Sequence, residues 1–185
     1  MFIEILNLVT FEYNRQSIFN IFSEIQKKIN LILDHQYGQI TISNNSTIIS
    51  VPAAVDTTLA TNSDYVQITG IWSAIPHGFN NGVTQQTNSF TINKTGVYRI
   101  EMWANVTSNQ NNNNIAVRFA RNGVITLIRR PRAFISSAND RLNMAAFGYA
   151  ELTAGDVLTL WIASDKTSNV TIEDLVFSTE GMRMY

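Results

Sequence analysis

The stretch Phe90–Val106, FTINKTGVYRIEMWANV, constrains the fold of this chain more than any other. A short apolar run meets a turn at Thr95-Gly96, and a long alternating run follows. Tyr98, Ile100, Met102, Ala104 and Val106 fall on one side of that run and Arg99, Glu101, Trp103 and Asn105 on the other. A period of two over this length specifies a strand with one core face. Its opposite face mixes charge with a tryptophan, a residue that a solvated face seldom carries without a partner.

The same alternation recurs downstream. Ile115, Val117 and Phe119 alternate with Ala116, Arg118 and Ala120, and Asn122-Gly123 then predicts a tight hairpin because both residues tolerate positive φ. Leu142–Leu152 places Phe147 and Tyr149 opposite a smoother apolar face. After a turn at Thr153–Asp156, Val157–Ser164 reads as a strand buried on both faces, with Leu158, Leu160 and Ile162 on one side and Trp161 on the other. A last strand is expected over Val170–Ser178. Earlier, strands are expected over Gln39–Ile42, Thr47–Val51 and Tyr65–Trp72. Ala74–Thr87, with Pro76, Gly78 and Gly82, reads as a loop. Ser108–Asn114, SNQNNNN, reads as a polar connection with no means of burying itself.

The N-terminal region has a different period. From Leu8, one heptad position takes Leu8, Arg15, Phe22 and Ile29, and its partner position takes Phe11, Ile18, Ile25 and Ile32. Phe11, Ile18, Phe22, Ile25, Ile29 and Ile32 thus form a seam on a helix ending before Tyr37-Gly38. Isoleucine at the second core position favours three or more strands over two. The seam serves either a homotrimer or a single amphipathic helix folded on its own domain. Residues 1–10 either extend the helix or form an arm on a partner, the arm being favoured by the loose alternation of Ile and Val with polar residues. The expected division is an arm and helix over 1–38 and a β domain over 39–185.

Composition narrows the chemistry. Charged residues make up 15% of the 185 and the net charge is -1, so no global field favours nucleic acid. There is no cysteine, which removes thiolate sites, and 21 asparagines suit turn-rich β structure. No apolar stretch approaches the ~20 residues of a membrane span. The start lacks the basic, unbroken apolar character of a secretion signal, so synthesis in a cytoplasm is expected. Acids are scattered, Glu173-Asp174 should point to opposite faces, and nothing resembles a nucleophile elbow, so no enzyme activity and no cofactor are expected. His77 reads as a turn residue and Gly155-Asp156 as a tight turn, with no metal site. Arg129, Arg130 and Arg132 form the densest positive patch. It reads either as an anion or glycan contact or as a solvated loop with inter-subunit salt bridges.

FTINKTGVYRIEMWANV, IAVRFARNGVI and FGYAELTAGDVLTLWIASDKTS, taken in order, resemble the complement-globular-head and tumour-necrosis-factor-like superfamily, most of all its bacteriophage-encoded variants. The resemblance runs from about Asp64 to Phe177 and rests on Phe90, Gly96, Tyr98, Asn122-Gly123, Leu152, Gly155 and Asp156. The ending LVFSTEGMRMY departs from the family's closing strand. The resemblance implies a mainly β, antiparallel, ten-stranded jelly-roll sandwich that assembles as a homotrimer. Trp103, Phe147, Tyr149 and Trp161 would form the subunit interface. The expected function is that of a trimeric virion structural protein, a capsid decoration or cement protein or a short fibre. It would be attached to a major capsid protein or another virion protein through the N-terminal region. The alternative is a receptor- or glycan-binding adhesin module, its contacts drawn from Asn80–Gln86, Asn109–Asn114 and Arg129–Arg132.

Overall fold

The computed structural model describes residues 15–27, 36–70, 82–127 and 131–182. The chain divides after His35 into Met1–His35 and Gln36–Tyr185. In the first unit residues 15–27 are α-helical. Ile18, Phe22 and Ile25 lie on one stripe of this helix with Phe19 and Ile21 beside it, and all five are between 45% and 64% exposed. Glu24 and Lys27 pair at 2.7 Å on the polar side. Phe11, Ile29 and Ile32 of the expected seam lie outside the described residues.

The second unit is a jelly-roll sandwich, as the alternation predicts. Its strands are β1 (Tyr37–Ile42), β2 (Ile48–Val51), β3 (Val66–Gln67), β4 (Val83–Gln86), β5 (Ser89–Ile92) and β6 (Gly96–Ser108). They continue with β7 (Asn113–Arg121), β8 (Val124–Leu127), β9 (Arg132–Ile135), β10 (Leu142–Leu152), β11 (Val157–Ser164) and β12 (Ser168–Met182). One sheet, called A, has the order β1-β12-β6-β10, with β2 beside β1 along β12. The other, B, has the order β4-β5-β11-β7-β8, with β3 on β11 and β9 on β7. Twelve strands arise among the described residues because outer positions are broken into collinear pieces, β1 with β2 and β8 with β9. Short edge pieces offer less continuous backbone to a stray strand.

The core follows the period-two pattern. Tyr98, Ile100, Met102, Ala104 and Val106 of β6 are buried, and they meet Phe90, Phe119, Leu160, Ile162 and Phe177 between the sheets. Phe177 packs against Phe90 at 4.7 Å and Phe119 at 5.7 Å between ring centroids, inside the aromatic contact range. β11 is buried on both faces because the segment after β2 crosses the outer side of sheet B. Leu59 and Tyr65 of that segment pack with Ala116, Ala120, Ala163 and Trp161. The Asp64 carboxylate holds the segment by accepting from the backbone N–H groups of Val55 and Asp56 at 3.1 Å. Tyr65 Oη donates to the Leu59 carbonyl at 2.9 Å.

The turns behave as their residues require. Asn122 and Gly123 have φ of 52° and 76°, the left-handed pair of a type I′ hairpin. Asn122 Oδ1 accepts from the Val157 N–H at 2.8 Å and its Nδ2 donates to Asp156 Oδ1 at 2.7 Å. Asp156 Oδ2 accepts from the Thr153 N–H at 2.8 Å, so the β7–β8 and β10–β11 turns are locked together.

Six segments differ from the sequence expectation. Of the strand expected over Tyr65–Trp72, only Val66–Gln67 is strand among the described residues. Val83–Gln86, placed in a loop, is edge strand β4, paired with β5. β9 follows Pro131 directly and pairs with β7. β12 continues past Ser178 to Met182, with a bulge between Ile172 and Asp174. Gly38 does not terminate a helix: it lies in β1 opposite Thr179, and a Cβ there would stand 3.0 Å from Val83 Cγ1 and 3.1 Å from the Phe90 ring. The polar run at 109–114 does bury itself in part. Asn113 is fully buried, its Nδ2 donating to Ser108 Oγ at 2.9 Å and its Oδ1 accepting from Ser164 Oγ at 2.7 Å. Ser168 Oγ extends the chain to Ser164 Oγ at 3.0 Å.

Replacing Asn113→Ala strips two buried hydroxyls of their shared partner and should lower stability by about 2–4 kcal/mol in urea unfolding. A loss below about 0.5 kcal/mol would show that the network is not a structural tie. A second outcome concerns pH. Hydrogen bonds from the Thr58 hydroxyl and the Thr58 and Ala60 N–H groups lower the Asp56 pKa from 3.8 to about 2. A carboxyl whose pKa folding depresses adds stability above its unfolded pKa and loses that contribution as the pH falls through its folded value. Between about pH 4 and about pH 2, the melting temperature of the wild type should therefore fall more steeply than that of Asp56→Asn. Parallel curves would contradict this.

Candidate functional site

The outward face of sheet A is the surface that water alone does not account for. Strand pairing lays its side chains in rows. Val176, Trp103 and Ala145 form one row, Ser178, Glu101 and Phe147 the next, and Glu180, Arg99 and Tyr149 a third. Trp103 stands between two small neighbours that cannot cover its indole and is 41% exposed. Phe147 and Tyr149 are 63% and 59% exposed. Ile48, beside Thr171, and Met182, beside Val97, extend the same face toward its two ends. Of the eight large hydrophobic residues exposed on the described part of the jelly roll, these five share one surface and only Val55, Val124 and Phe134 lie elsewhere.

Charge is set inside this apolar field. Arg99 Nη2 lies 2.6 Å from Glu101 Oε2, both side chains being about two-fifths exposed. The Arg99 guanidinium carbon is 5.8 Å from the centroid of the Phe147 ring, within cation–π range. Arg99 Nε is shielded from solvent by the chain and has no acceptor. Farther along, Asn105 Nδ2 donates to Asp174 Oδ2 at 2.8 Å and the Asn44 N–H to Oδ1 at 3.3 Å. These bonds, the Asn105 one foremost, hold the Asp174 carboxyl below its ordinary pKa.

The structure brings together Trp103, Phe147 and Tyr149 but not Trp161. Trp161 lies on β11 in sheet B, opposite Arg118 and Gln67. Its indole packs on the cluster beneath the Ala54–Tyr65 segment, with Nε1 donating to Thr159 Oγ1 at 2.9 Å. It already has its partner inside the chain, which removes it from the aromatic face of sheet A. Ile48, Met182, Arg99 and Glu101 belong to that face although the aromatic pattern alone did not select them. Their signal was register, since parity carried across β12 and β6 places them with Trp103.

The described parts of the three segments expected to offer glycan contacts do not converge. Val83–Gln86 is on the β4 edge of sheet B, and Arg132 starts β9 on the β7 side. The polar loop after β6 closes the end of the sandwich, where Lys166 Nζ donates to the Asn111 carbonyl at 2.7 Å and Asp165 accepts from Asn114. Arg129 and Arg130 lie outside the described residues. Glu173 and Asp174 also separate: Glu173 pairs with Arg141, and Asp174 with Asn105. Among the described residues no three His, Cys, Asp or Glu side chains gather where a metal ion could be held, and no helix is long and apolar enough to cross a membrane.

Solved structures share this architecture. The chain is similar to murine APRIL in a crystal structure at pH 5.0, with a TM-score of 0.52 and 14% identity over 80% of this chain and 100% of that one. It is similar to Eiger TNF from S. frugiperda, with a TM-score of 0.51 and 10% identity over 81% of this chain and 95% of that one. At these identities the likeness concerns the fold, a tumour-necrosis-factor-like jelly roll. No family model and no curated protein matches the sequence.

Adjacent residues of β6 should separate the core from the face. At concentrations where the chain is monomeric, Met102→Ala should cost about 2–4 kcal/mol of unfolding free energy and Trp103→Ala less than about 1 kcal/mol. Equal losses would mean that Trp103 is part of the core.

Proposed function

We propose that this chain acts without catalysis, as a self-assembling structural module: a homotrimer whose subunits meet on the outward face of sheet A and along the helix seam. The observation that carries the proposal is the concentration of five exposed apolar side chains on one sheet face. Exposed apolar side chains gathered on one face of a folded domain mark an interaction surface. The exposed stripe of Ile18, Phe22 and Ile25 is a second such surface on a separate unit. Isoleucine at the seam's second position favours three strands over two, and closed rotational symmetry is the usual outcome of self-association.

The setting we propose is the surface of a bacteriophage particle, where the trimer serves as a decoration or cement protein held to a major capsid protein through its N-terminal region. A cysteine-free, asparagine-rich chain suits that role, as does the resemblance of its motifs to phage-encoded jelly rolls.

Sedimentation equilibrium of the full chain should give three times 20.8 kDa. A monomer at tens of micromolar would remove the trimer and the role built on it. Deleting Met1 to Glu12 should leave the jelly roll folded and abolish capture by particles, and full occupancy of the truncated chain would overturn the anchoring role.

A further inference from the structure

One turn of the jelly roll carries a chemistry that neither outer face uses. Asn122-Gly123 closes the β7–β8 hairpin, and both residues are exposed to water. An asparagine before a glycine readily loses its side-chain amide, because no Cβ on the glycine hinders its backbone nitrogen from reaching the asparagine side chain. The Gly123 nitrogen bonds to Asn122 Cγ, the Cγ–Nδ2 bond breaks, and the Gly123 proton leaves with the amide group as ammonia. Water then opens the cyclic imide at either of its carbonyl carbons, leaving aspartate or isoaspartate at this position. Nothing is oxidised or reduced, and water is the only co-reactant.

The fold holds Asn122 away from this reaction. Its Oδ1 accepts from the Val157 N–H at 2.8 Å, its Nδ2 donates to Asp156 Oδ1 at 2.7 Å, and its own N–H donates to the Val157 carbonyl at 2.8 Å. Turning Cγ toward the Gly123 nitrogen breaks both side-chain bonds at once. Their far ends are themselves fixed, since Asp156 is buried and its Oδ2 accepts from the Thr153 N–H at 2.8 Å. We infer that Asn122 is a deamidation site that the folded chain keeps closed and unfolding opens, and that its product cannot rebuild the lock. In aspartate a carboxylate oxygen replaces Nδ2 and faces Asp156 Oδ1 with no proton between them, and two carboxylates that close cannot both stay charged. Arg121 Nη1 lies 4.0 Å from Asp156 Oδ2 and donates to the Glu151 carbonyl at 3.2 Å, so it offsets only part of that repulsion. Isoaspartate adds a methylene to the backbone and spoils the two-residue turn that pairs Arg121 with Val124. The modification thus marks chains that have been unfolded, whether or not the chain self-associates.

The test uses the full-length chain at mildly alkaline pH, either folded in buffer or unfolded in guanidinium chloride, with the peptide containing Asn122 followed by mass spectrometry. Conversion should be at least about tenfold slower in the folded chain. Equal rates, or no conversion in the unfolded chain, overturn the site. Asp156→Ala releases Nδ2, and in that variant, with folding checked by circular dichroism, conversion in buffer should rise at least about threefold. A folded variant that converts no faster than the wild type overturns the lock. Asn122→Asp installs the product directly and reads the consequence whether or not Asp156→Ala folds. Its folding equilibrium constant should fall by at least about tenfold, and wild-type stability would show that the product rebuilds the turn.

Discussion

β6 is the strand on which the rest of the structure depends, because it is an interior strand of sheet A and must satisfy two environments at once. It pairs with β12 on one side and β10 on the other over nearly its whole length. Its even-numbered residues make the core and its odd-numbered residues make the outward face, so a strand of fixed period couples the two. Tyr98 shows the coupling at one end. Its ring is buried between the sheets while its hydroxyl donates to the Lys94 carbonyl at 2.7 Å and meets the side-chain amide of Gln36, and burial raises its pKa. The residue that fills the core thus also fastens the point where the jelly roll begins. Once this register is set, the outward positions of Arg99, Glu101 and Trp103 are no longer free to vary.

Much of this was legible in the sequence, for a physical reason. Long strands with one buried face write their period into the chain, so β6, β10 and β11 could be read residue by residue, including the burial of β11 on both sides. Short edge strands leave no such record. β4 is four residues, VTQQ, with a single buried side chain, and β9 follows a proline and an arginine cluster that read as loop. Gly38 was misleading because a glycine that stops a helix and a glycine that makes room for Phe90 look alike in one dimension. Asn113 was misleading for a related reason: within a run of asparagines nothing distinguishes the one whose amide meets Ser108 and Ser164 in the interior.

The site was legible in part. Alternation identified Trp103, Phe147 and Tyr149 as outward residues, and the structure unites them. It identified Trp161 equally well, yet a sandwich has two outer faces, and period alone cannot say which one a residue occupies. The segment from Ala54 to Tyr65 decides the matter by covering the outer side of sheet B, where Trp161 lies. That asymmetry is the physical basis of the functional reading. One outer face is closed by the chain's own backbone and carboxylate ties, and the other presents aromatic and aliphatic side chains around the Arg99–Glu101 ion pair. The open face offers area, shape and charge, which the proposed subunit contact would use.

The central claim is that Trp103 lies at that contact. A variant carrying Trp72→Phe and Trp161→Phe retains Trp103 as its single tryptophan, and its fluorescence can be followed as the protein is diluted through its assembly midpoint. The assembled protein should emit at the shorter wavelength of a buried indole and shift to longer wavelength on dissociation. An emission maximum that stays the same while sedimentation reports dissociation would place the contact on another surface.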